Sequence, residues 1–287
     1  MPQPLIELGG EQSAPIMSIA PANGFVPETY LPMIAPFTDK YRVLSVPPRA
    51  LWGDGDPPEL TPEHSWYSFS VDMLSAYEQF NLTDVVAIGH SIGAVITLLS
   101  AIQAPEHFKA IILLDPVIML PSICDFMREQ RQQGKASYSP MVQGAKRRRR
   151  RFTDVDEAFE NFHGKSIFKD WSDEVLRLYA EHGTVEHEDG LRYLKWSPEW
   201  EAFYYSSYYT EIWSDLPKLN EIDVPIFLLS GADSHTLTQP AIEEIQAVVP
   251  NASYQSIAGH GHLFPQSAPQ QTADTITAWL NAINHRE

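Results

Sequence analysis

A serine between two glycines is the residue of this chain best placed to act as a nucleophile. The segment Gly89-His90-Ser91-Ile92-Gly93 follows Val85-Val86-Ala87-Ile88, a continuous apolar run typical of a buried parallel strand. A helical pattern over residues 92–103 follows it. A sharp turn from strand to helix needs small flanking residues, because the backbone there is strained and closely approached. We therefore expect Ser91 to be exposed for attack, with the N–H of Ile92 donating to a developing negative charge.

Two histidines near the C-terminus could provide the base that activates Ser91. Gly259-His260-Gly261-His262-Leu263-Phe264-Pro265 holds two histidines after the last strand-like segment. Imidazole is the side chain that most often transfers protons near neutral pH. A His-x-His pair can also bind a metal, but no third ligand has a convincing spacing, so we predict no metal site.

The elements that must position these residues alternate between strands and helices. Strands are predicted at residues 41–46, 85–88, 110–114, 224–229 and 253–257, and helices at 65–80, 92–103, 241–248 and 272–283. Such alternation with short connections predicts a mostly parallel sheet flanked by helices. It breaks between about residues 121 and 216, where the segments are charged, aromatic and helix-like. We predict a core of residues 1–121 and 215–287 and a helical cap of residues 122–214.

These motifs and their order resemble the α/β-hydrolase superfamily. The resemblance covers the sheet-forming parts, up to about residue 125 and from about 215 onwards, and it includes Ile16-Met17-Ser18-Ile19-Ala20 followed by Asn23-Gly24-Phe25. It implies an α/β-hydrolase fold with an inserted cap, a serine hydrolase activity and no cofactor. It also implies that the segment ending at Phe25 is the loop that supplies the second oxyanion N–H, from Phe25 itself.

The resemblance selects the base and leaves the acid open. The superfamily pattern of Gly-His, two apolar residues and Pro fits the register of His262, which we expect to be the general base. The acid is Asp115, directly after the strand beside that of Ser91, or Asp233, one residue short of the usual position after Gly231. Asp115 is slightly favoured because its register needs no deletion.

The charge composition of the chain limits which partners and substrates are expected. The chain has 20 Lys+Arg and 37 Asp+Glu, a net charge of −17, so nucleic acid and polyanionic substrates are not expected. We interpret Lys146 and the five arginines at 147–151 as a solvated helix face neutralised by nearby acids. These acids are Asp154, Asp156, Glu157 and Glu160.

The sequence also predicts a cytoplasmic protein. The single cysteine, Cys124, cannot form an internal disulfide. Residues 1–8 lack the pattern of a secretory signal, and no apolar run reaches the ~20 residues that would span a bilayer, so we expect no membrane partner. Nothing in the sequence indicates the oligomeric state.

We expect the function to be hydrolysis of small or medium apolar carboxylic esters through an acyl-enzyme intermediate. An aromatic-rich stretch at the end of the cap contains Trp200, Tyr204 and Tyr208, which could line the substrate pocket or simply pack between cap and core. The alternatives are a C–C bond hydrolase or a thioesterase with the same triad, or a ligand-binding receptor without turnover.

Overall fold

The computed structural model describes residues 3–53, 55–61, 64–136 and 139–285. In chain order the strands are β1 (Ile6–Gly9), β2 (Ile16–Ala20), β3 (Arg42–Ser45), β4 (Val85–His90), β5 (Phe108–Leu114), β6 (Arg151–Phe152), β7 (Thr184–Glu186), β8 (Arg192–Leu194), β9 (Ile226–Gly231) and β10 (Ser253–Ile257). Seven of them form one sheet in the order β1-β3-β2-β4-β5-β9-β10. Only β1 runs antiparallel to its neighbour in this sheet. The expected mostly parallel sheet is confirmed.

Helices cover both faces of the sheet. In chain order they are α1 (Leu31–Ile34), α2 (Trp66–Gln79), α3 (Ile92–Gln103), α4 (Pro121–Gln132), α5 (Pro140–Lys146), α6 (Val155–His163), α7 (Asp173–His182), α8 (Pro198–Ser206), α9 (Ile212–Asp215), α10 (Gln239–Val248), α11 (Phe264–Ser267) and α12 (Pro269–Asn284). Short 3₁₀ turns lie at Pro27–Tyr30, Ala35–Phe37, Arg49–Leu51, Pro105–His107, Ser166–Phe168 and Leu216–Asn220.

The apolar runs of the central strands are explained by burial on both faces. In β4, Val85 and Ala87 pack into the cluster formed with α2, α3 and α10, whereas Val86 and Ile88 pack into the cluster formed with α1 and α12. Side chains alternate between the two faces of a strand, so a strand covered on both sides must be apolar at every position.

The segment between β5 and β9 leaves the sheet. It contains α4 to α9 and a small antiparallel sheet of order β6-β8-β7. We expected only helices here, and the small sheet is a difference. Its strands are only two or three residues long and mix buried, half-buried and exposed positions, so they show no apolar alternation.

The register of the sheet brings three strand ends together. His90 pairs with Leu114 across β4 and β5, and Leu114 pairs with Leu229 across β5 and β9. The residues directly after β4 and β5 are Ser91 and Asp115. Because parallel strands end at the same edge, both side chains leave the sheet side by side, where crevices for ligands form in such folds.

Candidate active site

Ser91 occupies a strained turn between β4 and α3. Its φ and ψ are 59° and −119°, and its N–H donates to the carbonyl oxygen of Leu114 at 2.9 Å. A Cβ on Gly89 would lie less than 3.0 Å from Gly93 backbone, and one on Gly93 less than 3.0 Å from the carbonyl oxygen of Ala20. Neither position has room for a side chain, so glycine at 89 and at 93 is what allows the turn that holds Ser91.

His262 connects Ser91 to Asp115. Its Nε2 lies 2.9 Å from Ser91 Oγ, and its Nδ1 lies 2.6 Å from Asp115 Oδ2. Asp115 is 0% exposed and Ser91 7%, whereas the side chain of His262, which lies between them, is 25% exposed. An imidazole held between a hydroxyl and a buried carboxylate can accept the hydroxyl proton and be stabilised once charged.

The Asp115 carboxylate is held by hydrogen bonds from several segments. Oδ1 accepts from the N–H of Gly231 at 3.0 Å, and Oδ2 accepts from the Ser234 hydroxyl at 2.6 Å as well as facing His262. Asp115 itself has φ 43°, and its N–H donates to Leu229. These bonds compensate for burying the carboxylate and fix its orientation.

Asp233, the other predicted acid, is not brought to His262. Its side chain is exposed, and its N–H donates to the carbonyl oxygen of His260 at 3.0 Å. Ser234, at the position where an acid would usually lie, donates to Asp115 instead. The turn after β9 therefore supports the carboxylate of β5 rather than supplying one of its own.

The two predicted oxyanion donors differ in their surroundings. Ile92 is the first residue of α3, where N–H groups have no partner within the helix. The N–H of Phe25 donates to the carbonyl oxygen of Ala22 at 3.1 Å, in a turn where Gly24 has φ 82°. The N–H of Phe25 therefore already takes part in the turn that shapes the loop, and its role as a donor stays a prediction.

Contacts from residues 122–214 hold the loop that contains Gly24. Asn23 Nδ2 donates to the carbonyl oxygen of Glu201 at 3.0 Å, and the Tyr179 hydroxyl donates to that of Gly24 at 2.9 Å. Arg148 donates to the Tyr179 oxygen at 2.7 Å and forms an ion pair with Glu201. The arginine run is thus only partly a solvated face, and the sequence pattern missed this because the partner is 53 residues away.

The charge partners of the run also differ from the expectation. Arg149 pairs with Glu157, one of the predicted acids, whereas Arg150 pairs with Glu199. Asp156 pairs with Arg177 instead. Sequence proximity favoured the downstream acids, but the small sheet and α8 bring other carboxylates closer.

His90 was not predicted to contribute to the site. It is fully buried, with Nε2 2.9 Å from the carbonyl oxygen of His262 and Nδ1 2.7 Å from the Tyr30 hydroxyl. The Tyr30 oxygen accepts the N–H of Ala22 at 3.0 Å. Burial, and to a smaller extent the neighbouring His262, lowers the pKa of His90 well below its usual value, so the ring is neutral. This chain of bonds connects the histidine loop to the Ala22 turn.

The three predicted pocket aromatics are buried in packing contacts. Tyr204 stacks on Phe69 with ring centroids 4.3 Å apart, and Trp200 packs 6.1 Å from Tyr204. The Tyr208 oxygen accepts the N–H of Met119 at 3.1 Å. The structure therefore uses these side chains to join α8 and the segment after it to the core, which is the alternative left open above.

Two other features concern ligands and membranes. Across the described residues, no three His, Cys, Asp or Glu side chains form a group that could hold a metal ion. No helix in the described parts of the chain is long and apolar enough to span a bilayer.

Comparison with known proteins extends over nearly the whole chain. Residues 19–275 match the alpha/beta hydrolase family. The chain belongs to the alpha/beta hydrolase family. This α/β-hydrolase is 20% identical over 258 residues to (E)-2-((N-methylformamido)methylene)succinate hydrolase of Acinetobacter baylyi, a match covering 90% of this chain and 87% of that protein. The expected hydrolase enzyme is confirmed at the level of the family.

Solved structures show the same fold. E-2-(acetamidomethylene)succinate hydrolase superposes on this α/β-hydrolase with a TM-score of 0.73 and 19% identity, over 96% of this chain and 94% of that one. The thioesterase domain from the curacin biosynthetic pathway superposes with a TM-score of 0.73 and 17% identity, over the same shares of the two chains, 96% and 94%. At these identities the similarity establishes the fold and not the substrate.

Proposed function

We propose that this α/β-hydrolase cleaves small or medium acyl compounds, carboxylic esters first among them, through an acyl-enzyme intermediate. The observation that carries the proposal is the relay from Ser91 Oγ through His262 to Asp115, with distances of 2.9 and 2.6 Å. We also propose that residues 1–121 and 215–287 form the catalytic core and that residues 122–214 form its cap.

The relay supports acyl transfer in two steps. In the first, Ser91 Oγ attacks the acyl carbon while His262 Nε2 takes the hydroxyl proton, and Asp115 stabilises the resulting imidazolium. The same proton then passes from His262 to the leaving group, which departs and leaves the acyl group on Ser91. In the second step, water attacks this ester while His262 takes a proton from it, and His262 then returns that proton to Ser91 Oγ as the acid product leaves.

Negative charge on the carbonyl oxygen needs donors on the side away from His262. We propose the N–H of Ile92 as the main donor, because it stands at the N-terminus of α3 directly after Ser91. The N–H of Phe25 would act as a second donor by sharing its hydrogen between Ala22 and the oxyanion.

Other leaving groups would use the same steps. C–C bond hydrolysis and thioester hydrolysis stay as alternatives, and the second is named for one structural neighbour, a thioesterase domain. A receptor without turnover is disfavoured by the 2.9 Å contact between Ser91 and His262. The expected preference for apolar acyl groups rested on Trp200, Tyr204 and Tyr208, and their packing role removes that support.

The test is a panel of esters, thioesters and vinylogous diketones assayed with the wild type, Ser91→Ala and a matched control. Ser253→Ala is the control, since Ser253 is an exposed serine at the start of β10. We expect turnover of at least one class by the wild type and Ser253→Ala, and a loss of at least about 10³ in kcat for Ser91→Ala. Ligand binding without turnover of any class would favour the receptor.

A further inference from the structure

We propose that a cavity beside the oxyanion loop binds a carboxylate, so that the substrates of this enzyme are acyl derivatives of organic acids that keep a free carboxylate group. This rests on the proposed function for the acyl step, but the carboxylate site itself follows from separate observations. It differs from the expectation of apolar esters drawn from the sequence.

The cavity lies between the cap and the loop that ends at Phe25. Its volume is about 700 Å³, within the range of small-molecule sites. One wall is Asn23-Gly24-Phe25, a second is formed around residues 144–149, and a third by residues 161–168. Ser91 and His262 are not among its lining residues, so a ligand in this space adjoins the loop proposed to bind the carbonyl oxygen, and only the carboxylate end of a substrate would occupy it.

The lining concentrates positive charge in a strongly acidic chain. It contains four cations, Arg147, Arg148, Arg149 and Lys165, and one carboxylate, that of Glu201. The chain as a whole carries a net charge of −17. Concave walls of one sign focus the field and attract the opposite charge, so this cavity attracts anions that the remaining surface repels.

Two of these cations are uncommitted. Arg148 pairs with Glu201, and Arg149 pairs with Glu157. Arg147 and Lys165 are exposed, and neither has an ion-pair partner within 4.0 Å among the residues that the structure describes. They belong to two different walls of the cavity, and the planar guanidinium of Arg147 can donate two hydrogen bonds to one carboxylate.

The floor of the cavity is aromatic. Phe25, Phe162, Phe168 and Tyr179 are buried and contribute to the lining, with ring centroids of Phe162 and Tyr179 4.8 Å apart and those of Phe25 and Phe168 6.3 Å apart. An apolar floor under a cationic rim matches a ligand with a short carbon body and an anionic end. Inorganic anions would use only the rim.

The kinetic test compares two esters that differ in one group. Ethyl hydrogen succinate carries a carboxylate where ethyl butyrate has a methyl group, and the leaving alcohol is the same. We expect the wild type to prefer the succinate ester in kcat/KM. Arg147→Gln and Lys165→Gln should each raise KM for it by about tenfold, the order of a lost hydrogen bond between charged groups, and leave ethyl butyrate within about twofold.

The matched control is Lys146→Gln. Lys146 is the exposed neighbour of Arg147 and does not line the cavity. Lys146→Gln therefore removes the same charge without removing a contact to a ligand in the cavity. It should leave both esters within about twofold of the wild type. An equal rise of KM in Lys146→Gln and Arg147→Gln would show a general charge effect and overturn the site.

A binding measurement separates the site from the catalytic proposal. Calorimetry of Ser91→Ala with succinate should show binding that is lost in Ser91→Ala with Arg147→Gln, whether or not any ester is turned over. Binding of succinate without turnover of esters would leave the site standing and refute the proposed function. Turnover of ethyl butyrate, with no preference for the succinate ester and no succinate binding, would refute the site alone. Equal affinity for inorganic phosphate would contradict the assignment to an organic acid.

Discussion

Asp115 is a fully buried carboxylate whose partners come from two other segments of the chain, the turn after β9 and the loop that contains His262. Gly231 and Ser234 donate to it, and His262 lies 2.6 Å away. A carboxylate bound in this way orients the imidazole so that Nε2 faces Ser91. At the residue scale, this makes Asp115 the acid of the proposed mechanism.

Asp115→Asn should therefore lower kcat by about 10⁴, the loss found for the same change in the serine-protease triad, because asparagine favours the wrong imidazole tautomer. Asp233→Asn is the matched control and should stay within about twofold of the wild type, since that side chain is exposed. Steady-state kinetics with thermal melting, to show that both variants are folded, checks this. The opposite ranking would move the acid to Asp233.

His90 gives a prediction for stability against pH. Burial lowers the pKa of His90 in the folded protein, whereas in the unfolded chain it titrates near the ordinary value of about 6.5. Below that pH the unfolded chain binds a proton that the folded protein excludes, so the free energy of unfolding should fall as pH drops, by up to about 1.4 kcal/mol per pH unit from this group. Above about pH 7 the contribution should vanish.

Urea denaturation of the wild type and His90→Gln between about pH 7 and pH 5 measures this contribution. The wild type should lose more stability on acidification than the variant does, although the variant is less stable at every pH because Tyr30 and the carbonyl oxygen of His262 lose a buried partner. Identical slopes for the two proteins would mean that His90 is protonated in the folded state.

At the scale of elements, the turn between β4 and α3 depends on close backbone approach. A Cβ on Gly93 would lie less than 3.0 Å from the backbone of Ala20 at the end of β2. Gly144 in α5 has nothing within 4 Å of the same position. Close packing therefore requires glycine at position 93, whereas no close contact requires it at position 144.

Gly93→Ala should lower the free energy of unfolding by about 2 kcal/mol or more and reduce kcat, because β2 or α3 must shift to make room. Gly144→Ala, the control, should be neutral or stabilise the protein by up to about 1 kcal/mol, since alanine is the better helix former. Chemical denaturation and ester turnover of both variants provide the measurement. A harmless Gly93→Ala would show that the turn is more adaptable than its contacts indicate.

The elements also show how far the sequence could be interpreted. The helices and strands that the sequence predicted in the core lie within a few residues of those in the structure, because their apolar periodicity reflects burial by neighbouring elements, as in β4 and α3. The short elements β1 and α1 were not predicted. Ser91 and His262 followed from local motifs. The choice between Asp115 and Asp233, the N–H of Phe25 and the partner of Arg148 depend on contacts between distant segments, which spacing along the chain does not encode.

At the scale of the whole molecule, the proposed cap is bound to the loop that contains Gly24 by a network centred on Arg148 and Glu201. This ion pair is mostly buried, with side chains 21% and 12% exposed. The pair of Arg150 and Glu199 in the same region is more exposed. Net charge concealed this distribution, because a chain with a net charge of −17 still places four of its 20 Lys and Arg around one cavity.

Glu201→Gln should therefore cost about 3 kcal/mol in the free energy of unfolding, because Arg148 is left buried without a counter-charge. Glu199→Gln is the matched control and should cost less than about 1 kcal/mol, as exposed ion pairs do. Denaturation of both variants under one set of conditions measures the difference. Equal costs would mean that water reaches the Arg148 guanidinium as freely as that of Arg150.

The central claim is that Ser91 forms a covalent acyl intermediate, and peptide mass spectrometry after reaction with a fluorophosphonate tests it most directly. We expect one adduct, on the peptide that contains Ser91, no adduct in Ser91→Ala, and much slower labelling in His262→Ala, whose serine lacks its base. Labelling of a different residue in the wild type, or unchanged labelling in Ser91→Ala, would contradict the account.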